Sequence, residues 1–191
     1  MNLANLLTSF RIVLVPVFVL LFMLPSDWTR LATATVFALA AVTDWIDGYV
    51  ARSRGETSRF GAFLDPVADK LIVGAALVMM AGAHANLWFS AAAVVIVGRE
   101  IIISALREWM ADMQRRGVVS VSWVGKVKTV FQMVAILVLL ALPAELDLLW
   151  VKLGYGLLYV AAALTLWSMV IYIQAAWPTL REAYEEAAPD R

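Results

Sequence analysis

Four aspartates carry the most conspicuous chemistry in the chain: Asp44 and Asp47, three residues apart, and Asp65 and Asp69, four apart. Spacings of three and four put side chains on one face of a helix, so each pair points in one direction. A short connection between two such helices makes them antiparallel neighbours and lets the pairs converge. Carboxylates that converge in a low dielectric repel unless a proton or cation lies between them, and hard oxygen donors suit Mg²⁺, Mn²⁺ or Ca²⁺. The pattern therefore implies a divalent-metal site. Gly48, Ala51 and Gly61 are small neighbours that keep space open for a bulky polar ligand. Arg52, Arg54, Ser58 and Arg59 add cationic and hydroxyl donors of the kind a diphosphate needs. A purely structural alternative has the acids capping helix ends or pairing with Arg52, Arg54 and Arg59. It suits single acids better than four in apolar surroundings, where ionisable groups are costly and functional by default.

The elements that must position these residues are membrane helices. The hydrophobic fraction is 63%, against roughly 45–50% in soluble domains. A helix needs about 20 apolar residues to cross a hydrocarbon core of about 30 Å. Six runs qualify: Leu6–Leu24, Thr29–Ala51, Phe60–Ala83, Asn86–Trp109, Val124–Leu142 and Leu149–Ile173. The expected fold is all-α, a single polytopic domain over residues 1–191 with six transmembrane helices and a short polar cytoplasmic tail over 178–191. The first run lacks a signal-peptide cleavage pattern and is read as a retained span.

Basic residues alternate between connections: Arg52, Arg54 and Arg59 follow the second run, Arg107, Arg115, Arg116, Lys126 and Lys128 surround the fourth connection, and Arg181 and Arg191 follow the sixth. The positive-inside rule makes those connections, and both termini, cytoplasmic. The acids then sit at the cytoplasmic side. Trp28, Trp88, Trp150 and Trp177 fall near the expected interfaces. Net charge is zero, which argues against nucleic acid as a partner, and the absence of cysteine excludes disulfides and thiolate chemistry.

A second charged group lies in the fourth run. Arg99 and Glu100 interrupt an apolar stretch, and at ~1.5 Å per residue Arg99 lies about 12 Å deeper than Arg107, near the level of Asp69. Arg99, Arg107, Lys126 and Lys128 together suit an anionic, water-soluble ligand such as a phosphate monoester. The plainer alternative pairs Arg99 with Glu100 or an aspartate and treats the rest as loop charges. That alternative is preferred for Arg115 and Arg116.

Residues 44–69 read DWIDGYVARSRGETSRFGAFLDPVAD and match DxxDGxxAR, eight residues, GxxxDxxxD at every fixed position. This resembles the signature of the CDP-alcohol phosphatidyltransferase family. The resemblance implies that Asp44 and Asp65 bridge two Mg²⁺ ions, with Mn²⁺ as a substitute, that Asp47 completes the first site, and that Asp69 completes the second and serves as general base. It implies contacts of Gly48, Arg52, Ser58 and Gly61 with the CDP part of a lipid donor, CDP-diacylglycerol. The segments Asn5–Phe18 and Gly98–Met133 resemble those of bacterial family members that make phosphatidylglycerophosphate, the committed step toward phosphatidylglycerol and cardiolipin. That implies sn-glycerol 3-phosphate as acceptor, a role for Asn5 and Thr8 in holding the donor, a multi-pass location in a bacterial inner membrane among its lipids, and a homodimer. Asn5 as a helix cap is an equal alternative.

The residues themselves leave the base among the carboxylates, since the only histidine, His84, is expected in an outer loop and cysteine is absent. Rival readings are the same family with inositol phosphate, serine or phosphatidylglycerol as acceptor, and a divalent-cation transporter. Against transport, no polar series continues toward the outer side. Pro16 and Pro66 are expected to kink or to start helices, a first turn suiting Pro66, and the methionines and aromatics of the later runs are read as packing or lipid-facing.

Overall fold

The computed structural model describes residues 3–24, 26–54, 59–113, 123–143 and 148–187. They form six helices: α1 Leu3–Met23, α2 Asp27–Arg54, α3 Arg59–His84, α4 Leu87–Asp112, α5 Trp123–Ala141 and α6 Leu149–Ala187. Four contain stretches long and apolar enough to cross a membrane, Leu6–Met23, Pro66–His84, Leu87–Asp112 and Leu149–Ala183. α2 carries charge at both ends, and α5 has a shorter apolar portion, Val127–Ala141. Large apolar side chains face outward on many helix surfaces, including Leu20, Val94 and Trp167, which is the pattern of a bundle solvated by lipid.

Helix boundaries have local causes. Asn86 caps α4 from an extended backbone, its Oδ1 accepting from the N–H groups of Trp88 at 2.9 Å and Phe89 at 3.5 Å. Ala85 before it has φ 44°, which lets the chain reverse between α3 and α4 in two residues. At the entry to α2 the Thr29 hydroxyl lies 2.7 Å from the Leu24 carbonyl and 2.6 Å from that of Ser26.

One apolar core runs through all six helices, with Phe18, Phe37, Leu77, Phe89, Ile136 and Leu158 each fully buried. α1 leans on both α2 and α3, α5 packs along α6, and α4 packs on α6 and α3. A smaller cluster, Ile103, Met110, Tyr172 and Ala176, joins α4 to α6 at one end.

Three expected features take a more definite form. Pro66 lies inside α3, beyond its first turn, so of its two expected roles it does not start the helix; it removes one internal hydrogen bond. α6 continues through Pro178 to Ala187, so the first part of the expected tail is helical; Leu180 packs against the Tyr172 cluster and holds that extension in place. His84 ends α3 and is half-buried: a 2.7 Å hydrogen bond joins its Nδ1 to the Tyr155 hydroxyl, and its ring stacks on Phe89 at 5.1 Å. Contacts with Tyr155 and Phe89 thus hold at the end of α3 a residue expected in a loop.

The α5–α6 contact depends on Gly154. A Cβ there would meet Leu139 Cγ at 2.8 Å and Cδ2 at 2.9 Å, whereas one at Gly156 meets nothing within 4 Å. Gly154→Ala is expected to destabilise the detergent-solubilised protein by about 1–3 kcal/mol through overpacking. Gly156→Ala should be neutral or stabilising by up to about 1 kcal/mol from helix propensity. Thermal unfolding of the two variants side by side checks the contrast.

Candidate active site

A cavity of ≈ 450 Å³ opens between α2, α3 and α4. Asp44 and Trp45 of α2 and Pro66, Asp69 and Lys70 of α3 line one part of it, and Arg99, Glu100, Ile103, Ser104 and Arg107 of α4 line the other. The helical repeat explains the second wall: Arg99, Ile103 and Arg107 follow one another at four-residue steps, as do Glu100 and Ser104 beside them. Carboxylates of α2 and α3 thus share an enclosure with guanidinium groups of α4.

Behind the acids α1 contributes Arg11, which is 1% exposed and donates from Nη1 to Asp44 Oδ1 at 2.5 Å. Arg11, Asp44 and Asp69 also bound a small space of ≈ 10 Å³ against Ile72 and Met133. A guanidinium buried this deeply in an apolar helix requires an anion. The sequence reading passed over Arg11, although an arginine in the middle of the first apolar run is the same signal that drew attention to the aspartates. It also passed over Lys70, which borders the cavity next to Asp69.

The basic wall is tied to α5 and α6. Glu100 Oε1 accepts from Lys128 Nζ at 2.6 Å and from Arg99 Nη1 at 3.1 Å. Arg99 Nη2 donates to Ser168 Oγ at 3.2 Å, and the Ser168 hydroxyl donates to the Thr165 carbonyl at 2.9 Å. Arg107 Nη2 donates to the Tyr172 hydroxyl at 3.0 Å. The expected cation set therefore separates: Arg99 and Arg107 border the cavity, while Lys128, 3% exposed, reaches the site through Glu100. Arg99 does pair with Glu100, as the plainer alternative had it, and still lines the cavity.

Of the other site candidates, Thr8 is buried on α1 three residues before Arg11, on the same face. Asn5 lies in the first turn of α1, inside the helix rather than at its cap position. Asp47, Gly48 and Arg52 follow Asp44 along α2, and Gly61 and Asp65 precede Asp69 along α3. Lys126 lies in the first turn of α5. The side chains of Asn5, Asp47, Arg52, Asp65 and Lys126, and all of Ser58, lie outside the described residues. Among the described residues no three acidic, histidine or cysteine side chains form a metal-sized cluster. Asp44 and Asp69, the two motif carboxylates that are described, line the same cavity.

The CDP-alcohol phosphatidyltransferase family model matches residues 1–172. A Pseudomonas fluorescens protein named CDP-diacylglycerol–glycerol-3-phosphate 3-phosphatidyltransferase is 52% identical over 183 residues, covering 95% of this chain and 93% of that protein. Proteins of the same name from Escherichia coli (strain K12) and Shigella flexneri serotype 5b are each 52% identical over 176 residues, covering 92% of this chain and 94% of theirs. Their name contains the donor and acceptor that the resemblance implied.

The Lys128–Glu100 contact is expected to behave as a coupled pair. Lys128→Met leaves the Glu100 carboxylate short of one buried cation and should lower the unfolding temperature. Adding Glu100→Gln should then cost less than it does alone, with a coupling energy of about 1–3 kcal/mol in a double-mutant cycle. Additive losses would show the two side chains to be energetically independent.

Proposed function

This chain belongs to the CDP-alcohol phosphatidyltransferase family, and from that premise we propose that it transfers the phosphatidyl group of CDP-diacylglycerol to sn-glycerol 3-phosphate. The products are phosphatidylglycerophosphate and CMP. The observation that carries the chemistry is the cavity in which Asp44 and Asp69 share space with Arg99 and Arg107. It offers sites of opposite charge for the two things the reaction must bring together, a metal-dependent diphosphate and a free phosphate monoester.

The donor set suits hard divalent cations. Asp44 and Asp69 open on one cavity, and Asp47 and Asp65 stand one helical turn from them on α2 and α3. These four carboxylates would hold two ions, Mg²⁺ or in its place Mn²⁺. When bound, such ions neutralise the diphosphate and stabilise attacking and leaving oxygens in an in-line displacement. Arg11, through its contact with Asp44, fixes that carboxylate before ligands arrive. Gly48, Arg52, Ser58 and Gly61, with Asn5 and Thr8 of α1, form the region proposed to take the CDP part of the donor.

Arg99 and Arg107, with Lys126, take the phosphate of the acceptor. Lys128 holds Glu100, and through it Arg99, in place. The acceptor hydroxyl is then directed at the phosphorus that bears diacylglycerol, and Asp69 accepts its proton. A new P–O bond to glycerol 3-phosphate forms, the P–O bond to CMP breaks, and CMP leaves with the bridging oxygen. All six helices are proposed to span a bacterial inner membrane. Both termini and the cavity face the cytoplasm, as the alternation of basic connections supports. A second copy of the chain completes the proposed assembly.

CMP release from CDP-diacylglycerol by purified protein, with and without Mg²⁺, tests this reading across a panel of alcohols. Release is expected only with the metal and far faster with glycerol 3-phosphate than with inositol phosphate or serine. Asp69→Asn should retain donor binding and lose turnover by orders of magnitude, about the 10²–10⁴-fold that a positioned base contributes. Comparable use of inositol phosphate would overturn the acceptor, and normal turnover of Asp69→Asn would overturn the base.

A further inference from the structure

α6 contributes no side chain to the cavity lining, yet both cavity arginines end on it. We propose that Tyr172 is the positioning residue that sets Arg99 and Arg107 for an incoming phosphate and so contributes to the choice of a phosphorylated acceptor. This rests on the reading that these two arginines receive that phosphate.

The geometry is specific. The guanidinium carbons of Arg99 and Arg107 lie 5.3 and 5.1 Å from the centroid of the Tyr172 ring, both inside the ~6 Å range of a cation–π contact. The Tyr172 hydroxyl accepts from Arg107 Nη2 at 3.0 Å, the one side-chain hydrogen bond Arg107 makes among the described residues. Ser168, one turn earlier on the same face of α6, accepts from Arg99. Nε of each arginine is buried with no hydrogen-bond partner. For Arg107, then, the Tyr172 ring and hydroxyl supply the restraint; for Arg99, the ring adds to Ser168 and Glu100.

The arrangement matters because of where the arginines start. Eight residues separate them on α4, about 12 Å along the axis at ~1.5 Å per residue. Extended independently, two long side chains that far apart have many ways to miss a single phosphate group. Gathering both guanidiniums at one buried ring, 3% exposed, removes that freedom before the ligand arrives. Binding then does not have to freeze the rotamers. A ring face attracts a cation without consuming its N–H donors, so the Nη hydrogens not given to Ser168, Glu100 and the Tyr172 hydroxyl stay available to phosphate oxygens. An acceptor without a phosphate gains nothing from this arrangement.

The test is steady-state kinetics of Tyr172→Phe and Tyr172→Leu, with Arg107→Ala alongside, measuring KM for glycerol 3-phosphate and for CDP-diacylglycerol separately. Tyr172→Phe keeps the ring and loses the hydroxyl acceptor; its acceptor KM should rise about three- to tenfold. Tyr172→Leu loses both and should raise it about thirtyfold or more, with kcat and donor KM within about twofold of the parent. Inorganic phosphate, as a competitive inhibitor, should weaken in the same order. Equal changes in both KM values, or a loss confined to kcat, would overturn the proposal if Arg107→Ala still raised the acceptor KM. An unmoved acceptor KM in Arg107→Ala would instead sink the phosphate reading beneath it. Should Tyr172→Leu fail to fold, Tyr172→Phe decides alone, and an unchanged acceptor KM there counts against Tyr172.

Discussion

Charge buried among apolar helices must find a partner, and this constraint organises the end of the bundle where the cavity lies. Arg11, Arg99 and Lys128 are each 5% exposed or less. An isolated ion in such a setting costs several kcal/mol or more after relaxation. Each is therefore tied across helices: Arg11 of α1 to Asp44 of α2, Lys128 of α5 to Glu100 of α4, and Arg99 of α4 to Ser168 of α6. These ties set which helices stand next to one another at this end. Away from the cavity, Phe18, Phe37, Leu77 and their neighbours hold the bundle chiefly by apolar packing.

The same constraint keeps the cavity electrostatically divided. Glu100 is occupied by Lys128 and Arg99, so it does not cancel Arg107. Asp44 is held from behind by Arg11 while still bordering the open space. α6 completes the division without adding charge, through the hydroxyl of Ser168 and the hydroxyl and ring of Tyr172. For a reaction between two phosphorylated molecules this is a useful arrangement: like charges on the substrates are met by separate, prearranged partners instead of by one shared pool of cations.

Much of this was legible in the residues because charge in an apolar run is rare and its spacing can be counted. The spacings of Asp44 from Asp47 and of Asp65 from Asp69, and the depth that puts Arg99 near the level of Asp69, singled out residues of which Asp44, Asp69 and Arg99 line one cavity in the structure, together with Arg107 of α4. The number and order of helices followed from the apolar runs, with ends displaced by a few residues except at α6. There Leu180 continues the packing past Pro178, a tertiary contact that local composition does not reveal. Arg11 stands alone in its apolar run, without the paired spacing of the aspartates or the adjacent counter-charge of Arg99, although the rule that marks a buried charge applies equally to it. Tyr172 and Ser168 were beyond reach for a different reason. A tyrosine or serine in an apolar helix is unremarkable until it is known which cation lies opposite, and that depends on how α6 packs against α4.

The central claim is that both substrates occupy this one cavity. The chain contains no cysteine, so Ser104→Cys, in the cavity wall between Arg99 and Arg107, would be a unique thiol reporter. The measurement is its rate of modification by a small water-soluble thiol reagent in the detergent-solubilised protein. With Mg²⁺ present, glycerol 3-phosphate alone and CDP-diacylglycerol alone should each slow labelling, and glycerol without phosphate should not. Labelling at an unchanged rate at saturating concentrations of both substrates, in protein that still turns over, would place the reaction elsewhere and contradict the account.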